Sequence, residues 1–138
     1  MSLALHLRIA GAALVLLALA HVFFPKRFRW KEELERLSLL NRQIFLVHTF
    51  FIAAVLVFFG GVSFFLAEEL LRPGPLPRGV LLGFTVFWGL RLLVQLFVYD
   101  PSLWRGDRFN SAVHVVFTGF WSYLVAVYGC ALWRQLGG

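Results

Sequence analysis

Four long apolar runs constrain this chain more than any other feature. They cover about residues 7–24, 44–66, 80–99 and 112–133, and each is close to the roughly 20 residues that a helix needs to cross a bilayer. Lipid offers the backbone no hydrogen-bond partners, so a helix is the state open to each run. Short connections then force neighbouring runs to alternate in direction. The expectation is an all-α integral membrane protein, a four-transmembrane-helix up-down bundle forming one domain over 1–138. Composition agrees, with 60% hydrophobic residues, 14% charged residues and a mean hydropathy of +0.79, far from the usage of a soluble domain.

Within the first run, Ala18-Leu19-Ala20 follows a series of apolar residues and imitates a signal-peptidase site that would leave His21 at a new N-terminus. The run is nevertheless near spanning length, and a loop rich in Lys and Arg follows it. We read it as an uncleaved first transmembrane helix.

The connections carry their own signals. Pro25 stops the first helix within Pro25-Lys26-Arg27-Phe28-Arg29-Trp30, and residues 31–40 then read as a short amphipathic interfacial helix. Trp30, Leu34 and Leu37 share its apolar face, and Glu32 pairs with Arg36 four residues on. The second connection, residues 72–79, holds Pro73, Pro75 and Pro77 and reads as a stiff turn outside both helices. Asp100-Pro101 in the third is suited to cap a single helical turn.

Charge sets the expected orientation. The side with the first and third connections carries Lys26, Arg27, Arg29, Lys31, Arg36, Arg42, Arg105 and Arg108, against Arg8, Arg72, Arg78 and Arg134 on the side of the termini. Basic loops stay in the cytoplasm, so both termini are expected on the non-cytoplasmic side of a cell membrane. The net charge of +6 lies in loops between apolar runs, which fits anionic lipid headgroups and not nucleic acid. A single cysteine, Cys130, excludes an intrachain disulfide and any Cys-x-x-Cys motif. Ala10, Ala13, Gly60, Gly61, Gly83, Gly89 and Gly119 are candidates for close helix approach.

Polar residues inside the apolar runs are the candidate site. Phe84, Trp88, Arg91, Gln95 and Tyr99 recur at helical spacing on one stripe of the third run. An arginine at that depth is costly in lipid and normally faces a partner or a water-filled cavity. On an up-down topology the same end collects His21, Asn41 with His48, Arg91 with Gln95 and Tyr99, and Asn110 with His114 and Thr118.

His21, His48 and His114 are the candidate metal ligands, since three imidazoles can hold zinc, copper or iron with one position open. Two of them could instead clamp a haem, with Arg91 near a propionate. Arg91 and Gln95 are the candidate catalytic residues, orienting an anionic or carbonyl-bearing substrate. Asn41, Trp88, Arg91, Gln95, Tyr99, Asn110 and Thr118 are the candidate substrate-binding set. His6, at the opposite end near Arg8, reads as a solvated residue. Trp30, Trp104 and Trp133 read as interface anchors.

There is no GxSxG, HExxH or glycine-rich phosphate loop, and no carboxylate pair inside a span. That argues against a carboxylate-bridged di-iron centre and leaves histidine to move protons. Two functional classes remain, with a small oligomeric transporter third. One is a histidine-based metal or haem b protein near the cytoplasmic face, acting in redox transfer or metal-assisted conversion of a lipid-soluble substrate. The other is a metal-free accessory subunit that binds a quinone, another isoprenoid or a lipid, as a homo-oligomer or within a larger membrane complex.

Overall fold

The computed structural model describes residues 2–27, 29–104 and 106–137. Among them the long elements are all helical: α1 (Leu3–Ala20), α2 (Phe24–Arg27), α3 (Trp30–Glu35), α4 (Leu39–Phe65), α5 (Ala67–Leu71), α6 (Pro75–Phe97) and α7 (Arg108–Gln135), with a 3-10 turn at Pro101–Leu103. Helices α1, α4, α6 and α7 are each long and apolar enough to cross a membrane. This is consistent with a helical membrane bundle and a multi-pass membrane protein. Phe28, in the segment expected to stop the first helix, and Arg105, counted for orientation, lie outside the described residues.

The helix ends depart from the apolar runs for local reasons. Helix α1 stops at Ala20, and His21, Val22 and Phe23 donate their N–H groups to carbonyls three residues back. His21 therefore sits in a turn after the helix, and Pro25 falls in the first turn of α2, where a missing N–H costs nothing. Ser38 caps α4 by accepting the Asn41 N–H at 3.3 Å, so Leu39 and Leu40 open α4 and the expected interfacial helix shrinks to α3. Glu32 pairs with Arg29 at 2.6 Å, three residues earlier, where the sequence pointed to Arg36. Pro75 and Pro77 lie in the first turn of α6, again because that turn needs no N–H. Asp100 behaves as expected, accepting the Ser102 N–H at 2.7 Å, and Asp107 caps α7 through the N–H groups of Phe109 at 2.8 Å and Asn110 at 3.1 Å.

The chain groups into two compact units, residues 7–67 and residues 68–138 together with 1–6. Within the first, Gly11 of α1 and Gly60 of α4 meet backbone to backbone. A Cβ on Gly11 would lie 2.6 Å from the Gly60 carbonyl oxygen, and one on Gly60 would lie 2.7 Å from that of Gly11 and 2.8 Å from Val15 Cγ2. Only glycine permits that approach. The first half of α4 differs, since Ile44, Phe45, Leu46, Val47, Phe50 and Phe51 are all exposed. The buried residues of α4 are Leu56, Gly60 and Ser63 in its second half.

In the second unit α6 packs along α7. Contacts join Arg78 to Gln135, Phe84 to Tyr128, Trp88 to Trp121 and Gln95 to His114. One number rises as the other falls, so the two helices are antiparallel. Leu81, Phe84, Trp88 and Gln95 are the buried residues of α6; Phe84 meets Tyr128 and Trp88 meets Trp121 of α7, where Leu124 and Ala131 are buried as well.

Candidate functional site

The polar stripe of α6 meets α7 in a continuous hydrogen-bonded array. Arg91 Nη1 donates to Gln95 Oε1 at 3.2 Å, and Gln95 Nε2 donates to His114 Nδ1 at 2.9 Å. Spacing on α6 sets the first bond, because residues four apart share a face. Antiparallel packing sets the second, bringing a residue near the end of α6 against one near the start of α7. Gln95 is only 6% exposed, so both ends of its amide need protein partners, and both have them.

Aromatic rings enclose this array. The Arg91 guanidinium carbon lies 4.7 Å from the centre of the Trp121 ring and 5.6 Å from that of Tyr99, within range for cation–π attraction. Trp88 stacks on Trp121 with centroids 5.3 Å apart and planes 8° from parallel. Trp104 stacks on His114 at 3.9 Å and 15°, and its carbonyl accepts the Ser111 hydroxyl at 2.7 Å. The charge of Arg91 therefore rests on two ring faces and one amide oxygen. Among the described residues Gln95 is its one hydrogen-bond partner, and none of its contacts is a carboxylate.

The array also fixes a tautomer. Arginine can only donate, so the Gln95 oxygen faces Arg91 and its NH2 faces His114. His114 Nδ1 must then accept, which leaves the ring proton on Nε2. His21 and His48 are the opposite case. Each has Nδ1 2.8 Å from a carbonyl oxygen one helical turn back, Leu17 and Ile44 respectively. A carbonyl only accepts, so the proton is on Nδ1 and Nε2 keeps its lone pair. The His21 ring also leans on Phe24 at 4.6 Å, and His48 is exposed on α4.

Trp88 is buried at the contact with Trp121, and Tyr99 is exposed beneath Arg91. Thr118 donates its hydroxyl to the His114 carbonyl at 2.8 Å on its own helix. Asn41 and Asn110 are exposed at the starts of α4 and α7, and the bonds they make to Ser38 and Asp107 are backbone caps. Among the described residues no group of three or more His, Cys, Asp or Glu side chains is placed to hold a metal ion.

Several residues that matter here were not visible in the sequence. Trp121 is the ring most closely tied to Arg91, and its Nε1 is buried with no hydrogen-bond partner among the described residues. Trp104 stacks on His114, where the sequence had it as an interface anchor. At the far end of the hairpin Gln135 Nε2 donates to the carbonyls of Leu70 at 2.8 Å and Arg72 at 2.6 Å, while Arg78 Nη2 donates to the Gln135 carbonyl at 2.9 Å. His6, expected to be a solvated residue, is half-buried, with Nδ1 3.1 Å from the Tyr123 hydroxyl, which in turn donates to the His6 carbonyl at 3.4 Å. The proline-rich connection, whose carbonyls lack helical partners, was the one signal for a residue like Gln135.

No protein family, curated protein or solved structure matches this chain.

Proposed function

We propose that the α6–α7 hairpin is a metal-free binding site for the polar head of a membrane-soluble molecule, a lipid or a quinone-like isoprenoid, in a small subunit of a membrane assembly. The observation that carries this reading is Arg91, a cation within a span, held by two aromatic faces and one amide with no carboxylate among its described contacts. A charge kept at such depth is costly and is retained where it meets a ligand. Arg91 and His114 are half-buried, so a head arriving from the bilayer can reach them while its tail stays in lipid. In this reading the four spans form one up-down domain, with the connections around 21–38 and 98–107 on the cytoplasmic side and both termini opposite. The exposed basic residues of α2 and α3 lie against anionic headgroups there.

A second reading keeps a histidine-based metal or haem site, and one observation favours it. His21 and His48 hold Nδ1–H on a carbonyl and offer a free Nε2, the arrangement found in metal-bound histidines. His114 stands apart, because its Nδ1 is already taken by Gln95 and its Nε2 carries the proton. For that reason the hairpin reading ranks first.

One purification tests both. A brominated amphiphile bound near Arg91 should quench the fluorescence of Trp88, Trp104 and Trp121. We expect saturable quenching that Arg91→Ala abolishes and that His48→Ala leaves unchanged. A Soret band that shifts on reduction, or near-stoichiometric metal lost in His21→Ala and His48→Ala, would instead establish the second reading.

A further inference from the structure

The free ends of the array are all hydrogen-bond donors. Arg91 uses one N–H on Gln95 and has four of its five left. The tautomer imposed by Gln95 makes His114 Nε2 an N–H. Trp121 is 4% exposed, and its buried Nε1–H has no partner among the described residues, a state that is costly unless an acceptor arrives. Trp121 is the same ring over which the Arg91 charge sits.

We infer that this site, if it binds an amphiphile at all as proposed above, selects one with an oxyanionic head, a phosphate or carboxylate, and that Gln95 determines this selectivity. An oxyanion accepts from every direction and neutralises Arg91. A hydroxyl head and a quinone carbonyl can each accept from these donors, but neither carries the charge that neutralises Arg91. Gln95 is the residue that makes the site so, because its amide offers an acceptor to Arg91 and a donor to His114 at once. A glutamate at the same position would accept from both neighbours. It would neutralise Arg91, draw the His114 proton onto Nδ1 and leave Nε2 as an acceptor. Gln95 acts through its neighbours and is a positioning residue.

The test uses the full-length protein in nanodiscs of zwitterionic lipid. The probes are a long-chain alkyl phosphate, the alcohol of the same chain length and an alkyl benzoquinone, each read by tryptophan quenching with a brominated chain. The alkyl phosphate should bind about tenfold or more tightly than the other two, the difference a charged hydrogen bond makes. Gln95→Glu should remove that preference. Independently of any variant, 15N spectra of labelled wild-type protein should show His114 protonated at Nε2 and bare at Nδ1.

Saturable binding of phosphate and alcohol with equal affinity, or tighter binding of the quinone, overturns this inference and leaves the binding site standing. Saturable binding of none of the three overturns both. A His114 proton found on Nδ1 overturns the role given to Gln95. Displacement of the alkyl phosphate by an equal concentration of inorganic phosphate overturns the amphiphile and assigns the site to a free anion.

Discussion

Gly11 and Gly60 bring α1 and α4 into backbone contact with no side chain between them, whereas α6 and α7 are joined by Trp88, Trp121, Arg91, Gln95 and His114. Both contacts hold apolar helices together where the hydrophobic effect offers little, since lipid is as apolar as the helix surface. The glycine contact works by close approach alone and leaves no room for anything else. The α6–α7 contact spends large side chains on the same task and encloses a charge. The difference is why the binding site proposed above is assigned to α6 and α7 and not to α1 and α4.

Gly60→Ala should cut deepest into this contrast. The new Cβ would lie 2.7 Å from a backbone oxygen that cannot turn aside. Helix propensity alone would favour alanine by about 1 kcal/mol, but the overlap is with backbone and forces α1 and α4 apart, which places the overpacking cost at the top of the usual range, about 3 kcal/mol. Thermal unfolding in detergent should show net destabilisation of about 2 kcal/mol. An unchanged midpoint would break the glycine half of the comparison.

Gln135→Ala comes next, and it asks whether the hairpin depends on polar side chains at its other end as well. Gln135 satisfies the carbonyls of Leu70 and Arg72, and alanine leaves those groups without a donor from α7. A loss of about 1–2 kcal/mol is expected, with faster hydrogen exchange or proteolysis across 70–74. The Arg91 array lies at the opposite end of α6, so quenching of Trp121 by a bound amphiphile should survive. Loss of that quenching would mean that the hairpin opens as one piece.

What was legible in the sequence follows the same division. The four spans could be read because bilayer thickness and backbone hydrogen bonding leave few options. The Arg91–Gln95 pair could be read because helical spacing places residues four apart together, and His114 because short loops return the chain antiparallel. Gly60 was singled out as small, but so were Gly61, Gly83, Gly89 and Gly119, and a Cβ on any of those four meets nothing within 4 Å. Size alone does not say which glycine faces a partner. Trp121 was hidden among 16 Phe and five Trp, where composition cannot separate a ring that stacks on an arginine from one that faces lipid. His6 was missed because its partner Tyr123 is 117 residues away. The proline positions misled because a proline that ends one helix serves equally well to begin the next.

Gly61→Ala is the smallest effect and the sharpest control. It differs from Gly60→Ala by one position, yet a Cβ there meets nothing within 4 Å, so the only consequences are backbone ones. Alanine restricts the unfolded chain and suits a helix interior, which should stabilise by about 0.5–1 kcal/mol. Opposite signs at neighbouring glycines would show that Gly60 is defined by what it touches and not by its residue type. If Gly61→Ala destabilises as much as Gly60→Ala, something outside this chain covers that face of α4. The exposed residues of its first half, Phe50 and Phe51 among them, would then be the next surface on which to look for a partner subunit.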